Sequence, residues 1–295
     1  MRLVILGLDG LDPDLVESWG MHWFKQRVWG KHYVGLLKNL YTPILWSCFL
    51  TGVNVEEHGY DIEALKEKRT REAFRSGFLY RLYMLRRKIP IRRTGLRKLL
   101  IRLGLMNPYQ SSIMPENLMR MSFLEELRRR GRRVAAIEVP GYNETRNEYY
   151  RGRIDELVTK PFRERAEAVD EALEDTRERV GRAVEYVKND YDVVFVYTPL
   201  PDFAFHMAVK PDIKVKVWLR AVHRNLYGAT EELINLAREK GYAVLMVSDH
   251  GFDLRKYYHA TYGFWSLSIE RPPWWRVESI LDFRDNILKL AEMKG

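Results

Sequence analysis

The chain has 295 residues, of which 46% are hydrophobic and 30% charged, and a single cysteine, Cys48. A chain of this length can bury enough apolar surface to fold without disulfides or a structural metal, and one thiol excludes an internal disulfide framework and gives no sign of an oxidising compartment. The net charge of +9 is concentrated in one segment: residues 64–110 hold 14 Lys and Arg against 2 Glu, so the rest of the chain is slightly negative.

Arg2–Leu8 is a Leu- and β-branched run closed by Asp9-Gly10, the pattern of a buried parallel strand. Its apolar core, LVILGL, is short for a signal peptide, and an Asp follows at once with no small-residue cleavage site. No apolar stretch is long enough to span a bilayer, so the expected location is cytoplasmic. Asp12-Pro13 begins a helix, with Pro13 at a favoured first-turn position. Thr42-Pro43 precedes the apolar run Leu45–Leu50, which puts Thr42 at a helix N-terminus. Residues 64–110 are basic and rich in Leu and aromatics, interrupted by Pro90 and Gly95, and are expected to form an inserted cap of one or two helices.

Further along, Pro115–Arg130 is expected as one amphipathic helix and Arg133–Val139 as a strand. A long charged helix follows over Phe162–Lys188, then a strand over Asp192–Tyr197. Ile213–Lys240 reads as a helix, Tyr242–Val247 as a strand, Gly263–Ile269 as an edge strand and Ile280–Ala291 as a closing helix. Strands alternating with helices predict a single α/β domain over 1–295, with a mostly parallel sheet and helices on both faces.

The residues able to do chemistry fall after the predicted strands, where open α/β sheets bind ligands. Asp9 follows the first strand, Asp202 and His206 follow Asp192–Tyr197, Asp249 and His250 follow Tyr242–Val247, and His259 comes soon after. Carboxylate oxygens combined with imidazole nitrogens suit zinc, manganese or iron. Each piece alone has an ordinary structural reading: Asp-Gly as a turn, Thr42 as a helix cap, Asp-x-x-x-His as coincidence. Their concurrence at strand ends is the signal.

These residues resemble the alkaline phosphatase superfamily, and within it the type I phosphodiesterase/nucleotide pyrophosphatase branch. LVILGLDGLDPDLV is similar to that family's first strand with its metal-binding Asp. TPILWSCFLTGVNVEEHGY resembles the nucleophile segment, with Thr51-Gly52 nine residues after Thr42. PDFAFH, VSDHGF and HATYG resemble its remaining metal-binding motifs. The resemblance covers nearly the whole chain apart from 64–110. It implies an alkaline-phosphatase-like fold and two divalent ions, zinc with manganese as the alternative. One ion would be held by Asp202, His206 and His259, the other by Asp9, Asp249 and His250, with Thr42 attacking phosphorus to give a phospho-threonine that is then hydrolysed.

One departure bears on the substrate. Relatives that cleave diesters often carry a phosphate-binding Asn twenty-one residues after the Thr, where this chain has Glu63. An ionised Glu only accepts hydrogen bonds, so Asn54 or a basic cap residue becomes the candidate substrate contact. The expected activity is a metal-dependent phosphodiesterase or nucleotide pyrophosphatase. The alternatives are a phosphomonoesterase or phosphomutase of the same superfamily, and a non-catalytic anion- or lipid-binding protein on this fold. The expected substrate is a small phosphate ester, such as a nucleotide or a lipid headgroup. Segment 64–110 is a candidate electrostatic funnel, or a docking element for an anionic membrane surface. Charge alone admits nucleic acid, but no motif for specific reading accompanies it.

Overall fold

The structure, a computed structural model, describes residues 1–73, 81, 112–209 and 212–293. Most of the basic segment 64–110, with the cap, funnel and membrane roles expected of it, therefore lies outside the described residues. Among the described residues no helix is long and apolar enough to cross a membrane.

A six-stranded sheet forms the centre. Its strands are β1 (Leu3–Leu8), β2 (Val28–Tyr33), β3 (Val134–Ile137), β4 (Val193–Thr198), β5 (Ala243–Val247) and β8 (Tyr262–Leu267), in the order β2-β8-β5-β1-β4-β3. The run β3-β4-β1-β5 is parallel, with Leu8 opposite Thr198 and Gly7 opposite Val247. β8 runs antiparallel to β5, and β2 antiparallel to β8. Strands β6 (Gly251–Asp253) and β7 (Tyr258–Ala260) form a separate two-stranded ribbon.

Successive side chains of a strand point to opposite faces, and β1 sorts its residues accordingly. Val4, Leu6 and Leu8 join a core beneath two long helices, α7 (Phe162–Lys188) and α9 (Ile213–Glu239), which contribute Val169, Val184, Leu226 and Leu233. Leu3 and Ile5 join the core on the other face, under α2 (Thr42–Thr51), α5 (Phe123–Arg129) and α10 (Phe283–Glu292). Shorter helices complete the fold: α1 (Pro13–Ser18), α3 (Ile62–Ala73), α4 (Glu116–Met119), α6 (Asn147–Leu157) and α8 (Asp202–Met207).

Three expectations need correction. The expected helix Pro115–Arg130 is two helices, α4 and α5, because Ser122 leaves helical geometry to cap α5, its Oγ accepting from the Glu125 N–H at 3.3 Å. The expected edge strand near Gly263 is internal, since β2 pairs beyond it. Ile280–Asp282 is a 3-10 turn, with α10 starting at Phe283. Strands β2, β6 and β7 and helix α6 were not anticipated. β2 points Val28, Gly30 and His32 inward and exposes Trp29, Lys31 and Tyr33, so its hydrophobic alternation is inverted. Helix α6 buries Tyr150 and Leu157 and packs Ile154 against the same core, a short apolar stripe diluted by charges.

Gly7 in β1 exists for the sake of α2. A Cβ there would lie 2.9 Å from Trp46 Cη2 and 3.0 Å from Phe195 Cε2. Gly7→Ala is therefore expected to cost about 1–3 kcal/mol by overpacking, read as a lowered urea midpoint. Adding Trp46→Phe should recover part of the loss, and an unchanged midpoint in Gly7→Ala would contradict this packing.

Candidate metal centre

The parallel run places the C-terminal ends of β1, β4 and β5 side by side. Asp9 leaves β1, Asp249 and His250 leave β5, and Asp202 starts α8 four residues past β4. The Asp202 N–H donates to the Asp9 carbonyl at 2.9 Å, and the Gly10 N–H to Asp249 Oδ1 at 3.4 Å. Gly10 has φ +71°, and a Cβ on it would sit 2.7 Å from Asp202 Cβ. Only a residue without a side chain lets these loops approach so closely.

Two groups of ligand atoms, each with its members within 4.8 Å of one another, emerge: Asp202, His206 and His259; and Asp9, Asp202 and His250. In the first, His206 Nε2 lies 3.3 Å from Asp202 Oδ2, and His259 Nε2 lies 3.4 Å from Asp202 Oδ1. In the second, His250 Nε2 lies 3.2 Å from Asp9 Oδ1. Asp249 stands beside this group, its Oδ2 3.6 Å from His250 Nε2. The sequence suggested two separate sets of three. The geometry brings all six residues together with Asp202 facing both groups. The His250 and His259 rings stack with centroids 3.9 Å apart.

The imidazoles are aimed by their other nitrogens. His250 Nδ1 lies 2.9 Å from the Gly251 carbonyl and His259 Nδ1 lies 2.8 Å from the Leu40 carbonyl. A carbonyl only accepts, so each Nδ1 carries the proton and each Nε2 presents a lone pair to the site. On the opposite side, the Tyr197 hydroxyl donates to Asp9 Oδ2. Tyr257 ties the ribbon to α8, its hydroxyl donating to the His206 carbonyl at 2.6 Å. Asp12 caps α1 through Oδ1 and accepts from the Phe252 N–H through Oδ2. Burial raises its carboxyl to about 6. Sequence reasoning placed Asp12 at the start of α1 but missed its bond to Phe252, and it missed Tyr197 and Tyr257, since neither carries a motif of its own.

Buried atoms without hydrogen-bond partners include Asp9 Oδ1, Asp202 Oδ1, Asp249 Oδ2 and His250 Nε2. All four converge on one place, and orphaned buried acceptors are expensive unless a cation or donor meets them. Burial and the neighbouring Asp9 push the Asp249 carboxyl well above the usual range. Burial would also raise Asp202, but the facing His206 and His259 pull it well below. Burial would lower His250, and its contacts with Asp9 and Asp202 reverse that and raise it. Oxygen and imidazole donors around a shared negative potential fit divalent metal ions.

Thr42 is the first residue of α2 and is buried, with Tyr41 before it in extended geometry and no side chain capping the helix. Thr51 closes the same helix, its hydroxyl donating to the Ser47 carbonyl at 2.7 Å. Asn54, the candidate substrate contact, lies past the far end of this ten-residue helix, roughly 15 Å from Thr42 by helical rise. Its oxygen caps a 3-10 turn and its amide donates to Glu57, so the fold does not bring it to the cluster. Cys48 is buried in mid-helix and burial lifts its thiol to about 12, which removes it as a nucleophile. His32 and His223 are packing residues, lowered by burial to about 3 and about 4.

The sequence pattern of the family described as type I phosphodiesterase / nucleotide pyrophosphatase matches residues 102–263. That span includes Asp202, His206, Asp249, His250 and His259, and excludes Asp9 and Thr42. No curated protein matches the chain. Among solved structures, murine ectonucleotide pyrophosphatase/phosphodiesterase 5 is similar at 13% identity and TM-score 0.45, covering 85% of this chain and 57% of its own. The human protein of that name is similar at 15% identity and TM-score 0.43, with the same coverage. A 2-O GAG sulfatase is similar at 9% identity and TM-score 0.50, covering 100% of this chain and 71% of its own, and so shares the fold. The chain spans 57% of the length of the two pyrophosphatase/phosphodiesterase structures.

Because Asp202 faces both groups, Asp202→Asn should weaken metal binding at either group, by about 100-fold or more, beyond the roughly 10–100-fold typical of outer-shell changes. Asp249→Asn should weaken only the Asp9/His250 group. Bound zinc per chain after dialysis, measured by elemental analysis, checks this; an Asp202→Asn protein that keeps its full zinc content would contradict it.

Proposed function

Because the chain belongs to the type I phosphodiesterase / nucleotide pyrophosphatase family, we propose that it is a metal-dependent phosphohydrolase that cleaves phosphodiesters or nucleotide pyrophosphates through Thr42. The observation that carries this reading is the convergence of the partnerless buried atoms of Asp9, Asp202, Asp249 and His250 at the ends of adjacent strands. Two divalent ions, zinc or manganese, would be held by Asp202, His206 and His259 on one side and by Asp9, Asp249 and His250 on the other. When bound, they supply positive charge that lowers the pKa of a coordinated hydroxyl and neutralises a phosphoryl group.

The chain's own residues do the rest. A Thr hydroxyl is a weak nucleophile and needs activation. The Thr42 Oγ1–P bond forms as the bond from phosphorus to the leaving oxygen breaks, the Thr42 proton passing to solvent and an alcohol leaving group taking one from it. Water then attacks phosphorus, the Thr42 Oγ1–P bond breaks, and Thr42 regains its proton. The uncapped N-terminus of α2 favours the negative charge that develops there. The buried setting strengthens each of these electrostatic contacts relative to water. Tyr197 holds the Asp9 carboxylate in place through its hydroxyl, and the Leu40 and Gly251 carbonyls fix the His259 and His250 tautomers.

The test is turnover of bis-p-nitrophenyl phosphate by the zinc- or manganese-loaded protein. Thr42→Ala should reduce kcat on the order of a thousandfold or more. Thr51→Ala, which loses a bond to the Ser47 carbonyl and a long one from the Val53 N–H at the far end of α2, should retain activity. Undiminished turnover in Thr42→Ala would remove the nucleophile assignment.

A further inference from the structure

A second charged group packs against the first turn of α2 and has no part in the ligand set. Arg151, on α6, is held by two carboxylates. Its Nη2 donates to Glu144 Oε2 and, at 2.9 Å, to Glu148 Oε1; its Nε donates to Glu148 Oε1 at 3.2 Å. The Glu144 side chain is 1% exposed and that of Glu148 is 11%. The remaining nitrogen, Nη1, is buried and has no hydrogen-bond partner among the described residues.

Contacts of its carboxylate partners and its own electrostatic surroundings place this guanidinium near the start of α2. The Gly141 N–H donates to Glu144 Oε1 at 3.4 Å, and Gly141 packs so tightly on α2 that an added Cβ would lie 2.9 Å from the Pro43 carbonyl oxygen. Ser112 Oγ donates to Glu148 Oε1 at 3.0 Å, while the Ser112 carbonyl accepts the hydroxyl of Tyr60. The guanidinium also lies within electrostatic reach of Tyr41 and Tyr197. Tyr41 directly precedes Thr42, and Tyr197 bonds to Asp9. Arg151 therefore stands between the nucleophile segment and the Asp9 side of the metal centre.

A structural ion pair would account for Nε and Nη2. It leaves Nη1 unexplained, because a buried guanidinium nitrogen without an acceptor is costly and the two glutamates use only the other arms of the fork. Arginine suits an oxyanion because its planar fork can be fixed from one side and donate from the other. We propose that Arg151 binds the phosphoryl group of the substrate, Nη1 donating to a non-bridging oxygen on the phosphorus that Thr42 attacks. The assignment rests on the phosphohydrolase reading above. Glu144 and Glu148 are positioning residues that set the direction of the fork. Arg151 thereby supplies the donor that Glu63 and Asn54 do not.

The probe is inorganic phosphate, titrated calorimetrically into the zinc-loaded full chain, with bis-p-nitrophenyl phosphate turnover measured in parallel. Arg151→Lys keeps the charge and loses the fork. The expected result is a fall in phosphate affinity of about tenfold or more, a matching fall in kcat/KM, and unchanged zinc content. If that variant does not fold, Arg151→Met combined with Glu144→Gln and Glu148→Gln removes all three charges together and should give the same losses. Wild-type affinity and kinetics in either folded variant overturn the Arg151 assignment and leave the phosphohydrolase reading standing. Loss of zinc together with affinity makes the residue structural and also overturns it. A zinc-loaded wild type that neither binds phosphate nor turns over the diester overturns the phosphohydrolase reading, and Arg151 with it.

Discussion

Three carboxylates, Asp9, Asp202 and Asp249, are buried within one small region, and like charges that close in a medium of low dielectric cannot all stand unaccompanied. The rest of the site is organised around this constraint. Tyr197 gives Asp9 a hydrogen bond, His206 and His259 face Asp202, and Asp249 holds its proton more tightly than an ordinary carboxyl. These contacts temper the repulsion without removing it, since one oxygen of each carboxylate still lacks a hydrogen-bond partner. The fit of these oxygen and imidazole donors to a metal ion follows from that deficit.

The sheet order makes the crowding unavoidable. β1 lies between β4 and β5, all three parallel, so whatever follows each strand emerges at the same edge. Gly10 then lets the β1 loop fold onto Asp202 at a distance that any Cβ would block. The cost of gathering like charges is borne by two apolar cores, one on each face of the sheet, and Phe252 of one core packs edge-on against the His206 and His259 rings.

Much of this was legible in the sequence because strand ends leave strong marks. The apolar runs of β1, β4 and β5 stop at an Asp or shortly before one, so the parallel sheet and the six ligand candidates could be read from pattern and resemblance together. What escaped has a common physical cause. β2 places aromatic residues outward and a Gly and a His inward, so alternation misleads. Helix α6 is held by ion pairs and by a short apolar stripe, Tyr150, Ile154 and Leu157, which the surrounding charges of NEYYRGRIDEL obscure. Arg151 lies on that helix with Glu148 one turn before it and Glu144 just ahead of the helix; a local ion pair of that kind reads as a solvated surface contact, and only the fold shows that it is buried near the start of α2. Asn54 failed for the complementary reason. It is close to Thr42 in sequence, but a straight ten-residue helix holds the two apart.

The two halves of the centre are held with different rigidity. Asp9, Asp249 and His250 leave central strands whose register is fixed on both sides. His206 sits on a six-residue helix and His259 on a three-residue strand of the separate ribbon. Two bonds compensate. Tyr257 joins the ribbon to α8 through the His206 carbonyl, and His259 Nδ1 donates to the Leu40 carbonyl. Leu40 is two residues before Thr42. The same imidazole thus faces Asp202 through Nε2 and holds the approach to α2 through Nδ1, so the position of Thr42 is coupled to occupancy of the His206/His259 side. An ion bound there would hold the ribbon and, through Leu40, the turn that leads into Thr42.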